Sequence, residues 1–525
     1  MFAPFRIRAL CATIRVTNVD MKGCLVVQRR FLYLAHEVAI HLKEMGVVDE
    51  FCAFMQVRQG YNFLKEQQNI RYTSLVLEED LFKQAKAEKL DMEYLTTLEA
   101  EVGNLWRCIE VDRLVRHGQH LREYPHDQAP YSYEDMLRIV QTLARRITKM
   151  LDEEKPDFIF IFQPGSLGLN LFYAIAKSRG IKIFLPDVPS VPNLTELSEI
   201  PGRMSFAEEI FKNNLEKDTK EIAKYNEAKE YVDTFRNKPR AYSSVAGSRE
   251  KKGRLAQFGF LMPSNFFYTI YFNFFRIFVD WWKDPERRTD YSTVNPFLFL
   301  YDRMKRKIRN LRSLSDLYDN FDPAVSYAFF PLQHEPELQV LLLAPFNTDQ
   351  LDLAKRIARC LPVGMYLYVK DHPEMVPYRT RRFFRQLKKI PNLKLLDPSI
   401  SGFDVTKHAA LITTINSSIG WEGALVGKPV ITFGNTYYNS LSKVYFSKTP
   451  EELPEMICRA LKKGACSVDE LYRFVAALME DGVQLDLLYI WEVETDSEKR
   501  RSALKPYAEL LARKVQKLKY DKNYS

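Results

Sequence analysis

The chain is predicted to be an α/β protein with two doubly wound, parallel-sheet domains and a helical, aromatic-rich insertion between them. Two stretches predict the sheets, one before residue 205 and one from Ser326 to about Leu461, because short apolar runs alternate there with amphipathic helical patterns. Strand, helix and strand in close succession form a crossover unit, which requires parallel strands. The segment between them breaks that rhythm and predicts the insertion. The expected division is 1–205, 206–322, 323–465 and a C-terminal helical region, 466–525.

In the first domain the clearest unit begins at Asp157. FIFIF reads as a buried strand, Leu167 to Arg179 as an amphipathic helix stopped by Gly180, and IKIFLP as the next strand. The turn Gly165-Ser166-Leu167-Gly168 either cradles a ligand at the helix N-terminus or is simply a tight strand-to-helix connection. The insertion opens with charged helical stretches (AEEIFKNNLEKDTKEIAKYNEAKEYVDTF) and continues into FGFLMPSNFFYTIYFNFFRIFVDWW. Pro263, Asn265, Asn273 and Arg276 interrupt that aromatic run, so it is too broken to span a bilayer. Lys251, Lys252 and Arg254 precede it, and Lys283, Arg287 and Arg288 follow. Aromatic rings between basic clusters suit an anionic membrane surface, bound through 256–288; the alternative is an aromatic core covering the cleft.

In the second domain the expected strands are YAFFP, MYLYVK, LKLL, ALITTI and PVITFG, and the expected helices 348–360, 379–389, 402–408, 419–426 and 450–461. Ligands of open parallel sheets sit beyond the carboxyl ends of the strands. Four polar clusters fall at that end: Gln333-His334-Glu335, Asp371-His372-Pro373, Asn416-Ser417-Ser418 and Gly434-Asn435. His372 can donate to a phosphate oxygen, Pro373 keeps the backbone extended, and Lys370 adds positive charge. Asn416, Ser417 and Ser418 are good caps for the helix IGWEGALVG, whose N-terminus suits a nucleotide phosphate. Glu422 could accept from ribose hydroxyls or merely complement the helix dipole. Glu335 is expected to serve as nucleophile or base in glycosyl transfer or to stabilise an oxocarbenium-like transition state, with Gln333 orienting a sugar or the carboxylate. Each cluster also has a plain reading as a solvated or capped turn; their convergence at one rim argues for a site.

Composition narrows the class. An apolar fraction of 46% with 27% charged residues excludes a disordered chain, and a net charge of +9 favours anionic partners. No nucleic-acid motif accompanies that charge, so nucleic acid is not an expected partner. The seven cysteines are scattered without a CxxC spacing, which fits a reducing compartment and neither a disulfide framework nor a zinc site. The first ten residues lack the apolar core of a signal peptide, and no window holds roughly eighteen uninterrupted apolar residues. A cytoplasmic protein, peripheral on the inner membrane face, is expected.

Three blocks, YAFFPLQHEPELQ, MYLYVKDHPE and TTINSSIGWEGALVGKPVITFGNTYY, resemble in order and spacing the capsule polysaccharide biosynthesis family. That family includes bacterial Kdo transferases of capsule assembly and proteins of capsule biosynthesis or export. The N-terminal stretch YSYEDMLRIVQTLARRITKMLDEEKPDFIFIFQPGSLGLNLFYAIAKSRGIK is similar too. The resemblance implies a GT-B fold, two Rossmann-like domains facing one cleft. It also implies a glycosyltransferase acting on a nucleotide-activated sugar, CMP-Kdo in the best-known members, with a lipid-linked or glycan acceptor. The family's QxD motif falls on Gln333-His334-Glu335, with Glu335 replacing aspartate, and its His-Pro motif, implied to hold the donor phosphate, falls on His372-Pro373. Ser417, Ser418 and Glu422 match its serine-rich turn and helix. No metal and no cofactor other than the donor is expected, since no DxD-like site stands out. One extra methylene at Glu335 shifts the carboxylate by about 1 Å, enough to cost a large factor in rate. That departure keeps open a non-catalytic capsule assembly or export factor, and another GT-B enzyme such as a sugar-nucleotide epimerase or polyol-phosphate transferase.

Overall fold

The computed structural model describes residues 21–28, 31–118, 129–238, 267, 271, 278–283 and 296–524. The aromatic run 256–282 and its flanking basic residues fall outside these, except Phe267, Tyr271 and 278–283. The first half of the chain supplies β1 (Lys22–Val27), β2 (Glu50–Met55), β3 (Tyr72–Leu77), β4 (Phe158–Ile161), β5 (Lys182–Asp187) and β6 (Leu194–Ser198). The second supplies β7 (Tyr327–Pro331), β8 (Tyr366–Lys370), β9 (Leu393–Leu396), β10 (Leu411–Thr414), β11 (Val430–Thr432) and β12 (Val444–Phe446), and β13 (Val483–Gln484) closes the series.

Two sheets result, as expected. One has the order β13-β6-β5-β4-β1-β2-β3, the other β12-β11-β10-β7-β8-β9. The second is parallel throughout, whereas β6 and β13 run antiparallel at the edge of the first. Both are two-faced, and the sequence says why. Alternation along β1 sends Cys24 and Val26 to one face and Leu25 and Val27 to the other, where each set joins a separate core. The same alternation in β7 divides Tyr327 and Phe329 from Ala328 and Phe330. Gly180 and Gly427, at φ +69° and +82°, end helices Leu167–Ser178 and Ser418–Leu425 in the left-handed conformation that the punctuation predicted. The six described cysteines are unpaired.

The covering layers are exchanged between the halves. Helices Ser205–Glu216 and Tyr225–Asn237 fall in the expected insertion, yet Ala207, Phe211, Ala228 and Val232 are buried in the core of the second sheet. Composition misled here because these helices are charged on three sides and apolar on one. Conversely, the last helix, Ser497–Tyr524, returns to the first sheet and buries Leu504, Tyr507, Leu511 and Val515 there. The expected helices of the second domain are all present, and Leu338–Leu343 and β12 are additions. Among the described residues no helix is long and apolar enough to cross a membrane.

The returning helix should matter to the first sheet as much as its own core does. Leu511→Ala, at a fully buried position, is expected to cost about 2–5 kcal/mol, read as a shifted unfolding transition. Val363→Ala, at a fully exposed one, should stay within about 0.5 kcal/mol.

Candidate functional site at the facing strand tips

Strand order reverses between β7 and β10 in the second sheet and between β1 and β4 in the first, so each has a crevice at its carboxyl edge. The two crevices face one another. Gln28, after β1, donates to the Gln163 carbonyl, after β4, at 2.8 Å. Across the cleft, Gln339 donates to Gln163 Oε1 at 2.8 Å. Asn416, after β10, donates to the Gln339 carbonyl at 3.0 Å and accepts from Gln333, after β7, at 3.0 Å. A continuous run of amides therefore joins both switch points. Close approach is possible because Gly165 has no side chain: a Cβ there would lie 2.7 Å from Leu338. Gln333 Oε1 is buried without a hydrogen-bond partner among the described residues.

Beside the amides lies an ion cluster that sequence reasoning missed. The Arg379 side chain is fully buried, with Asp371 on Nη1 and both the Gln333 carbonyl (2.7 Å) and Glu335 (3.0 Å) on Nη2. Glu335 is thus held in a buried ion pair, its side chain 11% exposed. Burial pushes the carboxyl groups of Glu335 and Asp371 above their ordinary range, against the pull of the shared guanidinium. Nothing in the string RTRR distinguishes Arg379 from its solvated neighbours, so no local signal could have found it. Glu337, two residues on, is the half-buried carboxylate of the same turn.

His372 stands where expected, and it has an unexpected companion. His334 Nε2 and His372 Nδ1 are 2.8 Å apart. The Glu374 backbone N–H donates to the same Nδ1 at 3.3 Å, which favours the tautomer with that nitrogen unprotonated. In that tautomer the His372 ring carries its proton on Nε2, as a donor. The pairing of β7 with β8 aligns Pro331 with Lys370, and this register could have predicted that His334 and His372 meet. Lys370 is half-buried at the end of β8 and its charge favours the Asp371 carboxylate, while Pro373 is exposed. Among the described residues one group could hold a cation: ligand atoms of His334, His372 and Glu374 lie within 4.8 Å of one another.

The helix Ser418–Leu425 begins at the same rim, but Ser417 makes no side-chain cap bond. Its hydroxyl instead pairs with Thr414 Oγ1 at 2.7 Å, a correction to the expected capping role. The helix N-terminus is therefore not closed by its own cap, and Ser418 is half-buried in its first turn. Glu422 is 4% exposed; burial raises the pKa of the Tyr438 hydroxyl, and the nearby charge of Glu422 adds to it. The turn at Gly165 is settled for the plain reading. The Leu167 and Gly168 amides donate at 2.9 Å to Asp112 and Glu78, two buried carboxylates that already fill the helix N-terminus. Burial, with Asp112 adding to it, pushes Glu78 up to about 8.

Residues 287–442 match the family model of the capsule polysaccharide biosynthesis protein, and over that segment the resemblance drawn from the sequence is borne out. Protein FixF of Sinorhizobium fredii is 30% identical over 131 residues, 24% of this chain and 31% of that protein. The match thus spans about a third of the relative's length. Among solved structures, the beta Kdo 2,7 transferase of Thermosulfurimonas dismutans KpsC is 12% identical, with 71% of this chain and 87% of that chain covered at a TM-score of 0.33. Its beta Kdo 2,4 transferase is 14% identical, covering 61% and 79% at a TM-score of 0.33. A UDP-GlcNAc 2-epimerase from Methanocaldococcus jannaschii is 11% identical, covering 88% and 99% at a TM-score of 0.25.

Two variants probe the buried charges. Arg379→Met leaves Glu335 and Asp371 facing each other without a cation and should destabilise the fold by about 3–5 kcal/mol, measured by denaturant unfolding. Glu78 has a folded-state pKa raised from 4.5 to about 8, so the native state holds the proton more tightly than the unfolded chain. Its contribution is complete below pH 4.5 and lost as pH rises through about 8. The stability of the wild type relative to Glu78→Gln should fall across that window; parallel curves would contradict it.

Proposed function

We propose that the protein transfers a sugar from a nucleotide-activated donor in the synthesis of a capsule or surface polysaccharide. The observation that supports this reading best is the meeting of two sheet switch points across one cleft, with the tips of β7, β8 and β10 all contributing polar groups. On this reading His372 donates from Nε2 to a donor phosphate, and the N-terminus of helix Ser418–Leu425 adds its dipole and amides. Lys370 adds positive charge beneath them. The buried Gln333 Oε1 would accept from a sugar hydroxyl, and Asn416 holds that side chain in place. No metal is required in this scheme, because an imidazole N–H and helix amides supply the phosphate's partners. CMP-Kdo is the first donor to test, on the strength of the family resemblance, with a lipid-linked or glycan acceptor and a cytoplasmic setting.

One observation favours a second reading. Glu335, the carboxylate implied to take part in transfer, is bound to Arg379 and buried. A non-catalytic assembly or export factor that keeps the nucleotide site would tolerate that arrangement.

A donor screen separates the two. CMP- and UDP-activated sugars are incubated with the protein, and nucleotide release is followed with and without a glycolipid acceptor. Release from one donor is expected, with a drop of about 10²-fold in His372→Ala, the usual scale for losing one donor to transition-state charge. Thermal stabilisation by a nucleotide, without turnover under any acceptor, would establish the second reading instead.

A further inference from the structure

Two imidazoles and a carboxylate converge at the tips of β7 and β8. His334 Nε2 and His372 Nδ1 are 2.8 Å apart, and Glu374 Oε2 lies 4.0 Å from the same His334 nitrogen. Ligand atoms of all three residues fall within 4.8 Å of one another. Two ligands on a tetrahedral ion, each bonded at about 2.0–2.1 Å, are separated by about 3.3 Å. One contact therefore has to open, and the other to close, by only about 0.5–0.7 Å for a metal to sit between them. A hydrogen bond between the rings accounts for the shorter distance alone. The carboxylate stands beyond hydrogen-bond range of His334, yet near enough to share an ion with it.

The backbone around each ligand is fixed. Gln333 and Glu335 flank His334, and the buried Arg379 binds both, through the Gln333 carbonyl and the Glu335 carboxylate. Asp371, bound to the same guanidinium, precedes His372 and accepts from its backbone N–H at 2.8 Å. The Met375 N–H then closes a turn on the His372 carbonyl at 2.8 Å, and this turn carries Glu374 back beside the rings. Ligands on loops locked by buried supports have little freedom left to lose on binding. The His334 side chain is 12% exposed and that of Glu374 53%, so the cluster is closed on one side and open to solvent on the other. That opening gives an ion its entry path and a position for water as fourth ligand.

We propose that His334 Nε2, His372 Nδ1 and the Glu374 carboxylate bind one divalent transition-metal ion of the class of Zn²⁺ or Co²⁺. Two imidazole nitrogens and one carboxylate oxygen select such an ion against Mg²⁺ and Ca²⁺, which take oxygen ligands. Ligation exchanges partners without releasing a proton from the neutral rings. The His334 ring carries its proton on Nδ1 in place of Nε2, and His372 Nδ1 gives up the long 3.3 Å contact from the Glu374 N–H. His372 Nε2, on the opposite edge of its ring, keeps its proton, so a metal on Nδ1 and a phosphate on Nε2 are compatible. This site goes beyond the transferase reading and does not rest on it, because binding is measured with no donor present.

The full chain is stripped with a chelator, dialysed, and titrated with Co²⁺, followed by visible absorption, and with Zn²⁺, followed by calorimetry. One ion per chain is expected for each metal, with Zn²⁺ displacing Co²⁺ and a large excess of Mg²⁺ displacing neither. Glu374→Gln changes an exposed side chain and should weaken Zn²⁺ binding by at least about tenfold, the lower end of what even an outer partner of a metal site costs. His334→Ala should abolish stoichiometric binding, whereas His408→Ala, at an exposed histidine on another loop, should bind as the wild type does. Zn²⁺ should also raise the unfolding midpoint of the wild type and leave that of His334→Ala where it is. Absence of wild-type binding would overturn the proposal and leave His334 and His372 as a hydrogen-bonded pair. So would full affinity in either Glu374→Gln or His334→Ala, since the ion then sits elsewhere or lacks the third ligand. Neither result bears on the donor screen.

Discussion

The arrangement at the cleft depends on one buried cation. A guanidinium without solvent must be surrounded by acceptors, and Arg379 takes them from three places: the strand-tip carboxylate Asp371, the Gln333 carbonyl and Glu335. Those groups belong to the ends of β7 and β8, so satisfying one charge fixes two adjacent loops relative to each other. The His334–His372 contact and the placing of Gln333 against Asn416 follow from that fixation. The amide run then carries the constraint across the cleft to Gln163 and Gln28. Gln333 and Glu335, which sequence logic assigns to chemistry, also hold these loops together.

Much of the architecture was legible in the residues because parallel strands buried on both faces leave a strong signal. YAFFP and LKLL coincide with β7 and β9, and the helices between them begin and end near their polar caps and glycines. β12 escaped because a three-residue edge strand has no period to read. The helices at 205–237 were legible as helices, though their placement was not. Which sheet an amphipathic helix covers is decided by where its apolar face finds a partner, and for Phe211 that partner is Phe474, far along the chain.

The site divides along the same line. His372 and Asn416 were placed correctly at one rim because strand ends are local features. The burial of Glu335 was not legible because its environment is set by Arg379, which lies 44 residues further along the chain. Ser417 was misjudged for a smaller reason: a neighbouring Thr414 hydroxyl competes for it at 2.7 Å. Local propensity names the residues at a strand tip, and tertiary contacts choose which of them face the solvent.

The exchanged helices carry a mechanical consequence. The backbone passes between the two sheets twice, once after β6 and again just before β13. β13 pairs directly with β6, Val483 opposite Thr195, so the two crossings lie side by side. Two adjacent connections leave one easy motion, rotation about the line they share, in the manner of a clamshell. The Gln339–Gln163 contact is one of the bonds such a rotation must open, and a single neutral hydrogen bond is worth only about 1 kcal/mol. That bond alone would be a latch rather than a weld, but Val111 of the first half packs in a buried cluster with Leu342 and Leu343 of the second, and an opening rotation must part them too.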